Sequence, residues 1–320
     1  MKPIYYLLAS ALLLTSCAQS PSVTSPDGNI GVYISRDGTS LTYNVCVGGE
    51  QLILPSRLGL DADGLIPDED AKMTVSHSSF DETWQQPWGE NKEIRNHYNE
   101  VALTLSDDNL EYTVRVRAFD DGLAFRYEWN RASGDSVVVR DELTEFAFAR
   151  PATTWAIPAS FETYELEYRN LPLDSVSDAN TPLTFQVDSA ALFGSIHEAA
   201  LYDYPEMTLR RTDGRTLKAD LAPMPDGVKA YLPAQFTTPW RTIQLGQTAC
   251  DLINSGMILN LNEPSKIADT SWIKPQKYVG IWWGMHLGTM TWTMGPRHGA
   301  TTENAIRYID FAADNNLQGV

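Results

Sequence analysis

The sequence predicts a mostly β protein: a large antiparallel sandwich, followed by the opening of a parallel βα series. Three observations predict it. Residues 27–270 alternate apolar and polar side chains with period two, as half-buried strands do. Asx-Gly pairs at Asp37-Gly38 and Asp121-Gly122 punctuate that alternation, and such pairs are strong hairpin signals. Beyond residue 275 the pattern changes to a near-continuous apolar run, Lys277-Tyr-Val-Gly-Ile-Trp-Trp283, and then to a helical period.

The first strand is expected at Asn29 to Ser35 and the second at Leu41 to Val47, before Gly48-Gly49. The clearest meander runs from Glu100 to Trp129. Val101, Leu103 and Leu105 face one way, and Ser106 to Asn109 turns the chain. Tyr112, Val114, Val116 and Ala118 then point inward between Glu111, Thr113, Arg115 and Arg117. Leu123, Phe125, Tyr127 and Trp129 alternate with Arg126 and Glu128 after the next turn. Further strands are expected near 136–140, 143–149, 183–188, 191–196, 206–211, 216–221, 228–232 and 241–246. So many short strands with almost no helical period argue for a sandwich. Residues 247–276 connect, and Thr248 to Ile258 is partly helical. After the apolar run, the loop Gly284 to Ala300 is long for a βα connection. Thr301-Thr302-Glu303 opens a helix to Asn315 with Ala305, Ile306, Ile309 and Ala312 on one face. Leu317 to Val320 reads as the start of another strand. One βα unit cannot bury its own faces, so the expectation is one complete domain plus the first slice of a second.

The N-terminus reads as a processing segment. Lys2 precedes an apolar run, Ile4 to Leu14, too short to span a bilayer. Leu14-Thr15-Ser16-Cys17 resembles a bacterial lipobox, which implies cleavage before Cys17 and its acylation. An ordinary secretory peptide with an incidental cysteine is the alternative, and fractionation of a Cys17→Ser variant distinguishes them. The expected location is the periplasm, with a lipid anchor in the outer membrane of a Gram-negative bacterium. The chain carries 41 acidic and 24 basic residues, a net charge of −17. Such a surface repels nucleic acid phosphates and speaks against nucleic acid as a partner. Cys46 and Cys250 are too far apart in sequence to predict a pairing, and no cysteine spacing suggests zinc.

Several stretches resemble glycoside hydrolase family 97, the α-glucosidases and α-galactosidases common in Bacteroidetes. The most specific is Lys277-Tyr-Val-Gly-Ile-Trp-Trp-Gly-Met-His-Leu-Gly288, continued by Trp292-Thr-Met-Gly-Pro-Arg-His-Gly-Ala-Thr-Thr302 and Tyr308-Ile-Asp-Phe-Ala-Ala313. Supporting stretches are Trp88 to Glu100, Phe119 to Arg126 and Asp269 to Pro275. The resemblance implies a β super-sandwich of the galactose-mutarotase-like type, then a catalytic (β/α)8 barrel. It implies exo-acting hydrolysis of α-glucosides or α-galactosides with bound Ca²⁺. The expected organisation is a signal peptide over 1–17, a tether over 18–26, the super-sandwich over 27–246, a linker over 247–276, and an incomplete barrel start over 277–320.

The family's catalytic carboxylates lie on later barrel strands, so no catalytic residue is expected here. Glycosidases need two carboxylates flanking the scissile bond. Leu192-Phe-Gly-Ser-Ile-His-Glu-Ala-Ala-Leu201 is similar to the segment whose Glu helps hold Ca²⁺, which makes Glu198 the candidate metal ligand. Calcium wants six to eight oxygens, so one Glu would need company. Trp283, His286 and His298 are candidate contacts to an oligosaccharide substrate, though each also reads as core or as a structural hydrogen bond. Glu90, Glu93 and Glu100 read as a surface cluster with Arg95; His77, His97 and Glu263 read as structural. The rivals are a stand-alone carbohydrate-binding lipoprotein and a mutarotase-like sugar epimerase, which would need acid/base groups from His77, His97 or His197.

Overall fold

A computed structural model describes residues 20–320, apart from Ile66, Ser133, Asp135 and Ser189. Cys17 and the segment 1–19 lie outside the described residues. The chain divides into two units, 1–263 and 264–320.

The first unit is the antiparallel sandwich. One layer is a ten-stranded sheet. Its order runs Arg169–Pro172, Ala152–Ala156, Leu183–Val187, Phe193–Ala199, Trp240–Gly246, Gly122–Arg131, Leu110–Phe119, Glu93–Ser106 and Lys72–Gln85, with Gln235–Thr237 pairing on Gly122–Arg131. Smaller sheets supply the residues that face it. They are built from Val23–Thr24, Ile30–Asp37, Ser40–Val47 and Glu50–Leu58; from Glu145–Ala147, Thr216–Leu221, Met207–Asp213 and Asp178–Asn180; and from Ala230–Leu232, Val137–Glu142 and Leu60–Ala62. The inward positions of the meander, Val101, Leu103, Val114, Val116, Phe125 and Tyr127, meet Val32, Tyr43, Leu52, Leu209 and Leu217 in one core. Tyr43 lies 4.9 Å from Phe125, and Phe148 meets Phe185 edge-on at 4.9 Å. Aromatic pairs at this spacing add to plain area burial.

The outer face of the large sheet carries a second, smaller core. Tyr98, Phe119, Ala124, Ala199 and Trp240 pack there with Met257 and Leu261. Met257 lies in the short helix Met257–Asn260, just after the helix Ala249–Asn254. The expected partial helix over 248–258 is thus two pieces, broken where Ser255 returns to extended backbone. Gly122 shows why a turn glycine is needed at the start of its strand. It has φ +148°, and a Cβ there would collide with the Ile243 carbonyl oxygen.

The Lys72–Gln85 strand was not expected. It pairs over fourteen residues with Glu93–Ser106, but nearly every side chain on both of its faces is exposed. With neither face buried, no period-two pattern marks it. Cys250 is exposed and carries a free thiol, so it does not pair with Cys46.

The second unit departs from expectation in its strand. The apolar run 277–283 is not a ladder: it makes one parallel bridge, Tyr278 to Gly319, supported by hydrogen bonds from Val279 N–H to the Gly319 carbonyl (3.2 Å) and from Gln318 N–H to the Lys277 carbonyl (2.9 Å). Trp283–His286 winds into a helical turn instead. A parallel strand rich in apolar residues needs partners on both faces, and a single bridge does not supply them. The helix is where it was expected, Thr302–Asp314, with the Thr301 hydroxyl accepting from the Asn304 N–H. Its apolar stripe stays largely open, for Ile306 and Ile309 are both exposed and only Ala312 of the four is buried.

Candidate functional site

The buried charge of the sandwich gathers around Arg241. Arg241 sits opposite Glu198 across the pairing of Trp240–Gly246 with Phe193–Ala199. Ile196, Ile243 and Leu245 hold neighbouring inward positions, so both charges point into the core. The guanidinium is 1 % exposed. It forks onto Glu142, Nε to Oε1 at 2.8 Å and Nη2 to Oε2 at 2.6 Å, and donates from Nη1 to Glu198 Oε2 at 2.5 Å. Glu142 also accepts from the Thr144 hydroxyl at 2.7 Å and the Tyr204 hydroxyl at 3.2 Å. Glu198 Oε1 accepts from the Met207 N–H at 3.1 Å. Burial pushes the Glu198 carboxyl above its ordinary range, and Arg241 only partly offsets it. His197, on the other side of the strand, pairs with the Thr181 hydroxyl at 3.1 Å and is pushed down by burial and by Arg241.

A second network lies on the outer face. Arg115 joins Glu100 (2.6 Å) to Glu128 (2.7 and 2.9 Å), Arg117 holds Glu100 (2.8 Å), and Arg126 holds Glu128 (2.8 Å). The register explains it: Glu100 stands opposite Arg117, and Arg115 opposite Arg126. Burial alone would raise the Glu128 carboxyl, but the guanidiniums of Arg115 and Arg126 hold it below its usual value. Trp240 lies between two cations, with Arg117 at 4.8 Å and Arg126 at 4.3 Å from its ring. The surface cluster expected of Glu90, Glu93, Glu100 and Arg95 is therefore corrected. Arg95 pairs with Asp81 at 2.8 Å, while Glu100 is buried with the arginines of the neighbouring strand.

The calcium expectation meets this geometry at Glu198. Both of its oxygens are already engaged, one of them by a cation. Among the described residues no three His, Cys, Asp or Glu side chains converge as a metal-holding group. Calcium takes six to eight oxygens, so Glu198 by itself supplies only a small part of such a shell.

In the second unit Trp283 and His286 come together, stacked with centroids 5.5 Å apart, and Trp282 meets Trp283 edge-on at 5.5 Å. Trp283 is about half exposed, so it does not fill a core here. His298 stands in a separate turn, where it bridges to Thr291 and its buried Nδ1 has no hydrogen-bond partner. Sequence reasoning missed Arg241 and Glu142. The available signal was parity, since a charged residue at an inward position between apolar ones announces a buried partner.

Comparison with known proteins accords with this fold. Residues 23–264 match the family description Glycosyl-hydrolase 97 N-terminal, and residues 282–320 match Glycoside hydrolase 97. A retaining alpha-galactosidase of Bacteroides thetaiotaomicron is 28 % identical, over the whole of this chain and 52 % of that protein. A probable retaining alpha-galactosidase of Streptomyces bingchenggensis is 26 % identical, over 96 % of this chain and 47 % of that protein. A glycoside hydrolase family 97 enzyme from Pseudoalteromonas sp. strain K8, solved with panose, superposes with a TM-score of 0.85 and 43 % identity, over 93 % of this chain and 46 % of that one. The chain thus spans about half the length of the relatives it matches. With more than half of its residues under one family description and the following segment under its companion, the chain belongs to glycoside hydrolase family 97, as an N-terminal portion.

Proposed function

We propose that this chain is the sandwich-bearing part of an exo-acting glycosidase that hydrolyses α-galactosides or α-glucosides. The observation that carries the reading is the ordered pair of family matches, the sandwich and then the Trp282–Val320 segment. Two relatives are named as retaining alpha-galactosidases, and the Pseudoalteromonas enzyme was solved with panose and with acarbose. Hydrolysis needs a proton donor at the leaving oxygen and a second carboxylate roughly 5–10 Å away. Glu142 and Glu198, the buried inward carboxylates, are both committed to Arg241. Their engagement supports a reading in which the catalytic pair is supplied by other parts of the full-length protein. Calcium is part of the proposal through Glu198, whose single carboxylate requires oxygen ligands from outside the described residues. The binding-module and epimerase alternatives are not favoured: the first leaves the 282–320 match without a role, and His197 of the second is occupied by Thr181.

The test compares residues 20–320 with the same chain extended through a full barrel, on nitrophenyl α-galactoside and α-glucoside. No turnover is expected from the shorter chain, and turnover of at least one substrate from the longer. Hydrolysis by residues 20–320 alone would place the active site in the sandwich and end this reading. In the longer chain, Glu198→Gln should lower activity, with partial rescue by excess Ca²⁺; a loss that calcium does not touch assigns Glu198 to packing only.

A further inference from the structure

Two loops of the sandwich meet close to Glu198 and display unpartnered aromatic surface. The first runs from Ala159 to Arg169. Its base is fixed: the Ala159 N–H donates to Asp178 at 2.8 Å, the Ser160 N–H to Asn180 Oδ1 at 2.8 Å, and the Asn180 amide to the Thr163 carbonyl at 3.3 Å. The Ser160 hydroxyl accepts from the N–H groups of Glu162 and Thr163, both at 3.2 Å. The second loop, Ala200 to Glu206, follows Glu198 directly. Ala200 (φ 55°) and Asp203 (φ 52°) both adopt the left-handed conformation, which costs a residue with a Cβ about 1 kcal/mol or more. Such strain is kept where the surroundings over-determine it, often at ligand sites. The Tyr164 hydroxyl joins the loops by donating to Glu206 Oε2 at 3.0 Å, and the Tyr202 hydroxyl donates to Asn262 at 3.3 Å.

Phe161, Tyr164, Leu166, Tyr168, Leu201 and Tyr202 are all exposed, Tyr168 the most at 64 %. Between them stand exposed Glu162, Glu165, Glu167 and Asp203, against one base on these loops, Arg169. That composition selects the ligand. The carboxylates repel phosphates, acidic peptides and anionic lipid, yet they accept hydrogen bonds from neutral hydroxyls. Tyrosine faces offer rigid apolar area at low entropic cost. A neutral polyol with a flat C–H face matches both properties, and a pyranose ring has that shape.

We propose that the 159–169 and 200–206 loops form a carbohydrate platform that receives a neutral pyranose unit of an oligosaccharide, with Tyr168 and Tyr164 as its stacking residues. The choice of α-linked sugars rests on the glycosidase reading; the platform itself is measured without turnover. The purified chain is titrated with raffinose and with maltotriose, followed by amide chemical shifts. Saturable shifts are expected for 159–169 and 200–206 with at least one sugar, unchanged at high salt. Tyr168→Ala should weaken binding about tenfold, as loss of a stacked face predicts. Tyr231→Ala, at an exposed tyrosine elsewhere, should leave it unchanged. Absence of saturable shifts overturns the proposal, as does an equal loss in both variants. Binding of oligolysine abolished by salt, with no response to either sugar, would assign the loops to a cationic peptide and likewise overturn it. If the extended enzyme hydrolyses its substrate while the chain binds no sugar, the platform falls and the glycosidase reading stands. If the chain binds sugar while the extended chain hydrolyses nothing, the platform stands and the glycosidase reading falls.

Discussion

Arg241→Met is expected to destabilise the sandwich by about 3–5 kcal/mol, because it leaves two carboxylates buried without their cation. Glu142 and Glu198 are 1 % and 7 % exposed, and Arg241 is the cation that reaches both. For a domain of this size each kcal/mol moves the melting temperature by about 2–4 °C, so a fall of about 6–20 °C is expected. The deficit should also depend on pH. Burial already holds the Glu198 carboxyl above its ordinary range with Arg241 in place, and removing the cation raises it further. A folded-state carboxyl with a raised pKa binds its proton more tightly than the unfolded chain does. Protonation therefore favours the folded state, and the variant should regain stability as pH falls from neutral towards 5. Adding Glu142→Gln and Glu198→Gln to Arg241→Met should recover part of the loss at neutral pH, since no charge then remains at that site. Urea unfolding at two pH values checks both statements. A deficit below about 1 kcal/mol, or one that grows on acidification, contradicts the buried triad.

Trp240→Ala should cost a comparable amount, about 3–5 kcal/mol, by opening a cavity in the outer core. Trp240 is fully buried, and its ring separates the guanidiniums of Arg117 and Arg126. Tyr98 supports Arg117 from its other neighbour at 4.4 Å. Removing the ring leaves two like charges facing a void, where each had a π face. Trp240→Phe should be much milder. It keeps an aromatic face, and it deletes an indole N–H that is buried with no hydrogen-bond partner. Thermal unfolding of the two variants side by side is the measurement. Equal losses would mean that the aromatic face kept by phenylalanine contributes nothing, which contradicts a stabilising role for the cation–π contacts.

The sandwich was legible because its strands bury one face each. In the meander, Tyr112 to Ala118 and Leu123 to Trp129 carry the alternation in unbroken form, and the structure pairs the strands where the Ser106–Asn109 and Asp121-Gly122 turns place them. What the sequence hid has two physical causes. Lys72–Gln85 buries neither face, so its strand character comes from backbone pairing alone. The Arg241 network joins residues 99 and 43 positions apart, and no local pattern reports such distances. The run 277–283 failed in the opposite sense. Its composition fits a strand buried on both faces, but composition states only what partners a segment needs. Trp283 and His286 come together through the helical turn Trp283–His286, where the sequence pattern places a strand end and a loop, so their pairing was not legible.

The Lys72–Gln85 strand bears on how copies of the protein meet. It offers a fourteen-residue border of unpaired backbone at one end of the large sheet. The opposite border is Arg169–Pro172, four residues ending in a proline that has no N–H to give. The two borders differ so much in length that a head-to-tail joint could pair no more than four residues. The long border does complement itself. Laid antiparallel on its counterpart, it places a two-fold axis between Ser78 and Ser79, and such a contact is isologous and closes at two molecules. Between Met73 and Phe80 it carries His77 and no acidic or basic residue to prevent that approach. A lysine at Val75 would therefore meet any edge-on neighbour with a charge while leaving the fold beneath it undisturbed, since that side chain is already in water.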